Sequence, residues 1–139
     1  MKKSKTQYAS AEEVEAAFYT AFSRCDLEAM QSLWARDDAV CVHPGALTIK
    51  GYEAILRSWQ HIFNEAEYPI VQIQVIQTLS SDDLEVRMVE EHIGSPSDPR
   101  QGAVVFATNV YRRTEAGWLM VAHNAALMHV QQARSQMLQ

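Results

Sequence analysis

Two cysteines in a chain of 139 residues are too few to staple a fold together. Cys25 and Cys41 both sit among apolar neighbours, so they read as buried reduced thiols of a cytoplasmic protein. There is no CxxC and no His/Cys spacing of the metal-binding kind, so neither a metal nor a cofactor is expected. No apolar run approaches the roughly 18 residues of a membrane helix, and the first residues carry no apolar signal-peptide stretch, so no membrane partner is expected. Basic residues are also scarce: 12 Lys and Arg stand against 17 Asp and Glu, a net charge of -5, which argues against a nucleic-acid partner. The one basic cluster, Lys2, Lys3 and Lys5, belongs to a solvated N-terminus.

What remains is an ordinary globular composition, 47% hydrophobic and 21% charged, long enough for one domain with a real core. Repeats, low-complexity segments and internal linkers are absent from the sequence. The expected layout is a tail over 1–9, a domain over 10–131 and a second tail over 132–139. Ser10 and Glu13 form a capping box, and Val14, Ala17, Phe18, Ala21, Phe22 and Cys25 recur at helical spacing behind it. Asp26 caps a second, short helix with Leu27, Met30, Leu33 and Trp34 on its apolar side. Residues 39–42 are a short strand. After Gly51 a third helix carries Tyr52, Ile55, Trp59, Ile62 and Phe63.

The second half changes period. Val71, Ile73 and Val75 alternate with glutamines, and strands follow over 84–93, 102–113 and 117–130, with a loop over 94–99. Helices first and an antiparallel meander after them predict an α+β domain whose helices pack on one face of a curved sheet. On the strand from 102, Ala103, Val105, Ala107, Asn109 and Tyr111 share a face whose small residues leave room for a pocket. Strict alternation on the last strand puts Trp118, Met120, Ala122 and Asn124 on one face, and Leu119, Val121 and His123 on the other. Both faces are apolar, so the outer one, with Phe106, Val110, Leu119 and Val121, asks for a cover. A second copy of the chain is the natural one.

Three stretches together resemble one family: FSRCDLEAMQSLWARDDAVCVHPG, KGYEAILRSWQHIF and VVFATNVYRRTEAGWLMVAHNAAL. Over 11–128 the chain is similar to SnoaL-like and ketosteroid-isomerase-like members of the nuclear-transport-factor-2-like superfamily. The resemblance implies a cone: three N-terminal helices closing over a strongly curved antiparallel β-sheet, with a pocket for a small apolar or polycyclic molecule. It places His43, directly before Pro44, where isomerases of this type carry a base, and Asn109 where they carry the group that binds the substrate oxygen. Their helix-1 tyrosine falls at Phe18, beside Tyr19. The same pattern turns Met88, Glu90 and His92 inward. The implied pocket set is therefore His43, Glu90, His92, Asn109 and Asn124, walled by Tyr19, Trp34, Trp59, Phe63, Met88, Tyr111 and Met120.

Two functions follow from different classes. In the first, His43 removes a proton alpha to a carbonyl and Asn109 donates to the enolate oxygen. Apolar walls would keep the imidazole neutral, opposed by Glu90 if that carboxylate lies close. In the second, the chain is a non-catalytic module that binds a small apolar ligand or dimerises. Polar groups converging on an open cavity favour the first, and an interior filled by Trp59, Phe63 and Met120 favours the second.

Overall fold

The computed structural model describes residues 7–65 and 67–128, with the side chains of 99–101 left aside. The two expected tails fall largely outside these residues, as do His129 and the end of the last expected strand.

Helix α1 (Ala11–Arg24) starts at the capping box: the Ser10 side chain accepts from the Glu13 amide, and Glu13 reaches back to the Ala9 amide at 2.6 Å. Such a cap stabilises a helix by about 1 kcal/mol. The helix stops at Cys25, whose left-handed φ of 51° sends its N–H back to the carbonyls of Ala21 and Phe22. Asp26 caps helix α2 (Leu27–Leu33) through the Ala29 amide. Strand β1 (Val40–Val42) and the two-residue β2 (Ile49–Lys50) form a small hairpin, followed by helix α3 (Tyr52–Glu65). Four long strands complete the chain: β3 (Ile70–Ser80), β4 (Leu84–Ser95), β5 (Asp98–Thr114) and β6 (Gly117–Leu127). The loop expected over 94–99 is a tight turn, because β4 and β5 continue into it and pair as far as Ser95 with Asp98. The pair at Ile49 escaped the sequence reading because two residues show no period.

The six strands form one sheet in the order β2-β1-β6-β5-β4-β3. Strand β1 runs parallel to β6, and the other pairs are antiparallel. The three helices lie on one face of this curved sheet. Between them sits a core in which Phe18, Trp34, Trp59, Tyr111 and Met120 are essentially solvent-free. Phe18 is its hub, meeting Tyr19, Trp34, Trp59 and His123 with ring centres 4.8 to 6.4 Å away. None of the described helices is long and apolar enough to cross a membrane.

Two departures from strict alternation decide what faces this core. In β6 the register with β5 shifts between Val110 and Tyr111, which pair with Ala122 and Met120, so Val121 is an extra residue. Before the bulge Met120 points inward. After it His123 and Ala125 do, while Asn124 is exposed. The expected placement of Asn124 inside and His123 outside is therefore reversed, and Val121 is buried at the bulge instead of lying open on the outer face. Strand β4 is also turned over relative to expectation. Its inward residues are Arg87, Val89 and Glu91, paired with Asn109, Ala107 and Val105. Met88, Glu90 and His92 stand on the outer side opposite Thr108, Phe106 and Val104. Burying Arg87 and Glu91 is tolerated because each finds a partner on α1. The Arg87 guanidinium donates to Glu15 at 2.8 and 3.2 Å, and also to Glu85 at 2.8 Å.

A buried polar chain beside His43

Four side chains from four elements meet inside the cone. The Tyr19 hydroxyl on α1 donates to Oε2 of Glu91 on β4 at 2.5 Å. Having given its only proton, it must accept from the next group, and the Asn109 amide on β5 supplies Nδ2 at 2.9 Å. That choice orients the amide, so its Oδ1 faces Nδ1 of His123 on β6 at 2.6 Å. An amide oxygen only accepts, so His123 carries its proton on Nδ1. The chain thus runs His123 to Asn109 to Tyr19 to Glu91, every bond pointing toward the carboxylate. All four residues are buried. Unpaired, such groups would cost stability; linked in series, they polarise one another.

Burial shifts the two ends in opposite senses. Desolvation raises the Glu91 carboxyl to about 7, against the smaller lowering effect of the Tyr19 hydrogen bond. His123 is pushed down to about 3, first by burial and then by the charge that His43 would carry. Tyr19 is raised beyond any accessible pH, mainly by burial and then by the Glu91 charge, so it remains a phenol.

His43 lies next to this chain but outside it. It follows β1, half-buried, with its ring edge-on to Trp59 at 4.8 Å and 6.3 Å from the His123 ring. Ser58 Oγ sits 2.9 Å from His43 Nε2 and spends its own proton on the Ile55 carbonyl at 2.6 Å. Nε2 must therefore be the donor, which leaves the lone pair on Nδ1. Cys41 Sγ, 3.6 Å from the same Nε2, is a weak second neighbour. Desolvation lowers the His43 pKa below its ordinary value, so the ring is neutral at pH 7.

Of the residues expected at the pocket, Tyr19, Asn109, Trp34, Trp59, Tyr111 and Met120 lie in the interior, with His43 and Phe63 half-buried at its margin. Asn109 does not face His43 across an open space. Its amide is bonded at both ends, and the imidazole it holds is that of His123. Glu90 and His92 pair with each other at 3.3 Å on the outer side, so Glu90 does not bear on His43. Sequence reasoning missed Glu91 and His123. The signal for His123 is the one-residue bulge, which no period reveals. For Glu91 it is the cross-strand partnership with Val105. Among the described residues no group of three His, Cys, Asp or Glu side chains is placed to hold a metal ion.

Comparison with known proteins now places the chain. Residues 11–129 match the model of the SnoaL-like domain. The chain belongs to that family. The SnoaL-like domain is also similar to a solved structure from Thiobacillus denitrificans, described as a candidate calcium/calmodulin-dependent protein kinase type II association domain. The two are 35% identical, the match covers 89% of this chain and 99% of that one, and the TM-score is 0.81. A candidate dehydratase of the NTF2-like family from Streptomyces avermitilis is 33% identical over 83% of this chain and 91% of its own, with a TM-score of 0.75. A ketosteroid isomerase-like protein from Erwinia carotovora shares the fold, with a TM-score of 0.70 at 16% identity, 84% of this chain and 92% of that one being covered. Among curated proteins, the F-box protein SKIP8 of Arabidopsis thaliana is 27% identical over 116 residues, 83% of this chain. The SnoaL-like domain spans about half of that relative, 48% of its length.

Proposed function

We propose that this SnoaL-like domain is a self-association module, two copies meeting through the outer face of the sheet. One observation carries the reading: the interior side chains of Tyr19, Glu91, Asn109 and His123 are spent on one another. Asn109 is committed at both ends, and Trp59 and Met120 are buried in the same interior. The outer face, by contrast, presents Phe106, Val110, Val86, Leu79 and Leu119, flanked by Glu90 at one end of the field and Arg112 at the other. A two-fold axis perpendicular to the strands brings these opposite charges together across the interface. The likeness to a candidate association domain supports the same conclusion. The free thiols Cys25 and Cys41 suit a cytoplasmic setting. Sedimentation at micromolar concentration should show a dimer or a larger even-numbered assembly, and Phe106→Glu should halve its mass. A monomeric wild-type protein would refute the proposal.

His43 supports a second reading, proton transfer on a small apolar carbonyl compound. Its half-buried ring is neutral, is held by Ser58, and keeps the Nδ1 lone pair for a substrate. In this reading Asn109 orients His123 and is not the oxygen-binding donor. Turnover would rise with pH through the lowered His43 pKa and level off by pH 7, because the base acts in its neutral form. His43→Ala would lower it about 100-fold or more. Unchanged turnover in that variant rules this chemistry out.

A further inference from the structure

Strand β3 closes the sheet on the side away from β2, and among the described residues it pairs with β4 alone. From Ile70 to Ile76 it reads Ile-Val-Gln-Ile-Gln-Val-Ile, the same in both directions about Ile73. Every residue between Glu67 and Asp82 is uncharged. Edge strands are ordinarily guarded by lysine, by inward charge or by proline within the strand, because a free row of N–H and C=O groups templates further pairing. Here the guard is a single bulge, the register shift between Val75 and Gln77 that leaves Ile76 as the extra residue at the end of the symmetric stretch. Ile70, Val75 and Ile76 are 52%, 42% and 45% exposed, far above the core residues of the same sheet.

We propose that β3 is a self-complementary docking edge for a second copy of this chain, two β3 strands pairing antiparallel about a two-fold axis at Ile73 to join two six-stranded sheets into one. That axis sets Ile70 opposite the partner copy's Ile76, Val71 opposite Val75, and Gln72 opposite Gln74. Residues directly opposite in an antiparallel pair share a face, so Val71, Ile73 and Val75 meet their counterparts on the helix side. On the outer side amide meets amide, and Ile70 at one end of the stretch faces the partner copy's Ile76. The symmetry is isologous and closes after two copies. Either kind of antiparallel pair, hydrogen-bonded or not, can occupy the axis, so the existing ladder to β4 does not oppose it. The bulge limits the pairing to these seven residues and keeps it from propagating. This inference rests on the self-association reading but uses a different surface, the rim of the sheet and not its face. With both contacts made, the assembly holds more than two copies.

The two surfaces separate in a Phe106→Glu background, where the outer face is blocked. Sedimentation equilibrium of that variant should still show a dimer. Adding Gln72→Lys with Gln74→Lys sets introduced lysines opposite each other across the axis and should raise the dimer dissociation constant at least tenfold. Adding Gln72→Lys with Gln74→Glu sets opposite charges there and should leave the dimer intact. Among Ile70–Ile76, the alternate backbone amides that point away from β4 should be protected from deuterium exchange in the dimer and exchange rapidly in the lysine-pair monomer, while those bonded to β4 stay protected in both. A Phe106→Glu protein that is already monomeric, beside a dimeric wild type, overturns the edge pairing and leaves the face contact standing. Equal dissociation constants for the two double substitutions overturn it as well. So does protection of those outward-pointing amides that persists in the monomer, since another part of the same chain would then cover the edge. A wild type that is monomeric overturns the self-association reading and this inference together.

Discussion

Glu91→Gln tests the buried chain most directly. Glutamine keeps the shape and an acceptor for the Tyr19 hydroxyl but cannot titrate. In the folded protein burial raises the Glu91 carboxyl from 4.5 to about 7, whereas the unfolded chain releases that proton near the ordinary value. Between these limits the folded state holds more protons than the unfolded one, so stability falls as pH rises. The slope is 1.36 kcal/mol per pH unit for one proton, which over the window comes to about 3 kcal/mol. Glu91 is only 1% exposed, so solvent screening takes little from this figure. His123 acts with the opposite sign. Its folded value is about 3, so protons taken up by the unfolded chain below pH 6.5 destabilise the native state. Across the overlap the two slopes offset each other, and the wild-type curve alone would conceal both. Urea unfolding of wild type and Glu91→Gln at a series of pH values removes everything the two proteins share. The stability difference, wild type minus variant, should grow by about 3 kcal/mol as pH falls from 7 to 4.5. A constant offset is expected from the new buried NH2 group and carries no information. A difference flat to within about 0.5 kcal/mol over that range would show that Glu91 is not a desolvated carboxyl, and the chain as described would be wrong.

Other outcomes follow from single contacts. Gly117 has a φ of +91°, and a Cβ there would lie 2.8 Å from the Tyr8 carbonyl oxygen, so Gly117→Ala should cost about 1–3 kcal/mol in urea unfolding. Gly45, at φ +74° with nothing within 4 Å of its Cβ, should tolerate alanine better, and equal losses at the two sites would contradict the role of the Tyr8 contact. Burial pushes the Cys41 thiol up to about 12. An aromatic disulfide reagent should therefore titrate Cys25 first in the native protein and reach Cys41 only on unfolding, and simultaneous reaction of both would show that Cys41 is accessible.

Much of the fold was legible because its signals are local. The Ser10–Glu13 box, the Asp26 cap and the three- and four-residue spacings mark helices wherever they occur, and the order of elements restricted the architecture. The interior of the site was legible only where alternation was unbroken. On β5 the inward set with Asn109 and Tyr111 is the observed one. On β6 one extra residue, Val121, inverted everything beyond it and exchanged His123 for Asn124. On β4 both alternations carry apolar and charged residues, Val86 and Met88 with Glu90, or Val89 with Arg87 and Glu91. Only long-range partners, Glu15 for Arg87 and Tyr19 for Glu91, decide between them. Those partners lie 72 residues away in sequence, beyond any pattern read within a window.

The position of β6 in the sheet also bears on how the molecule is made. It lies between β1 and β5, bonded to both, and its Met120 carbonyl also accepts from the Ala35 amide. Until Gly117–Leu127 has left the ribosome, the early half of the chain and the β3–β5 meander have no strand in common. The β1–β2 hairpin must wait for its parallel partner while the residues from Gly51 to Leu127 are added, and closure then depends on contacts of long sequence separation. Such topologies fold slowly because the entropy of the intervening loop must be overcome before the contacts form. The strand that completes the sheet is thus also its kinetic gate. During that interval the nascent chain exposes Phe18, Trp34 and Trp59 to chaperones and to neighbouring copies.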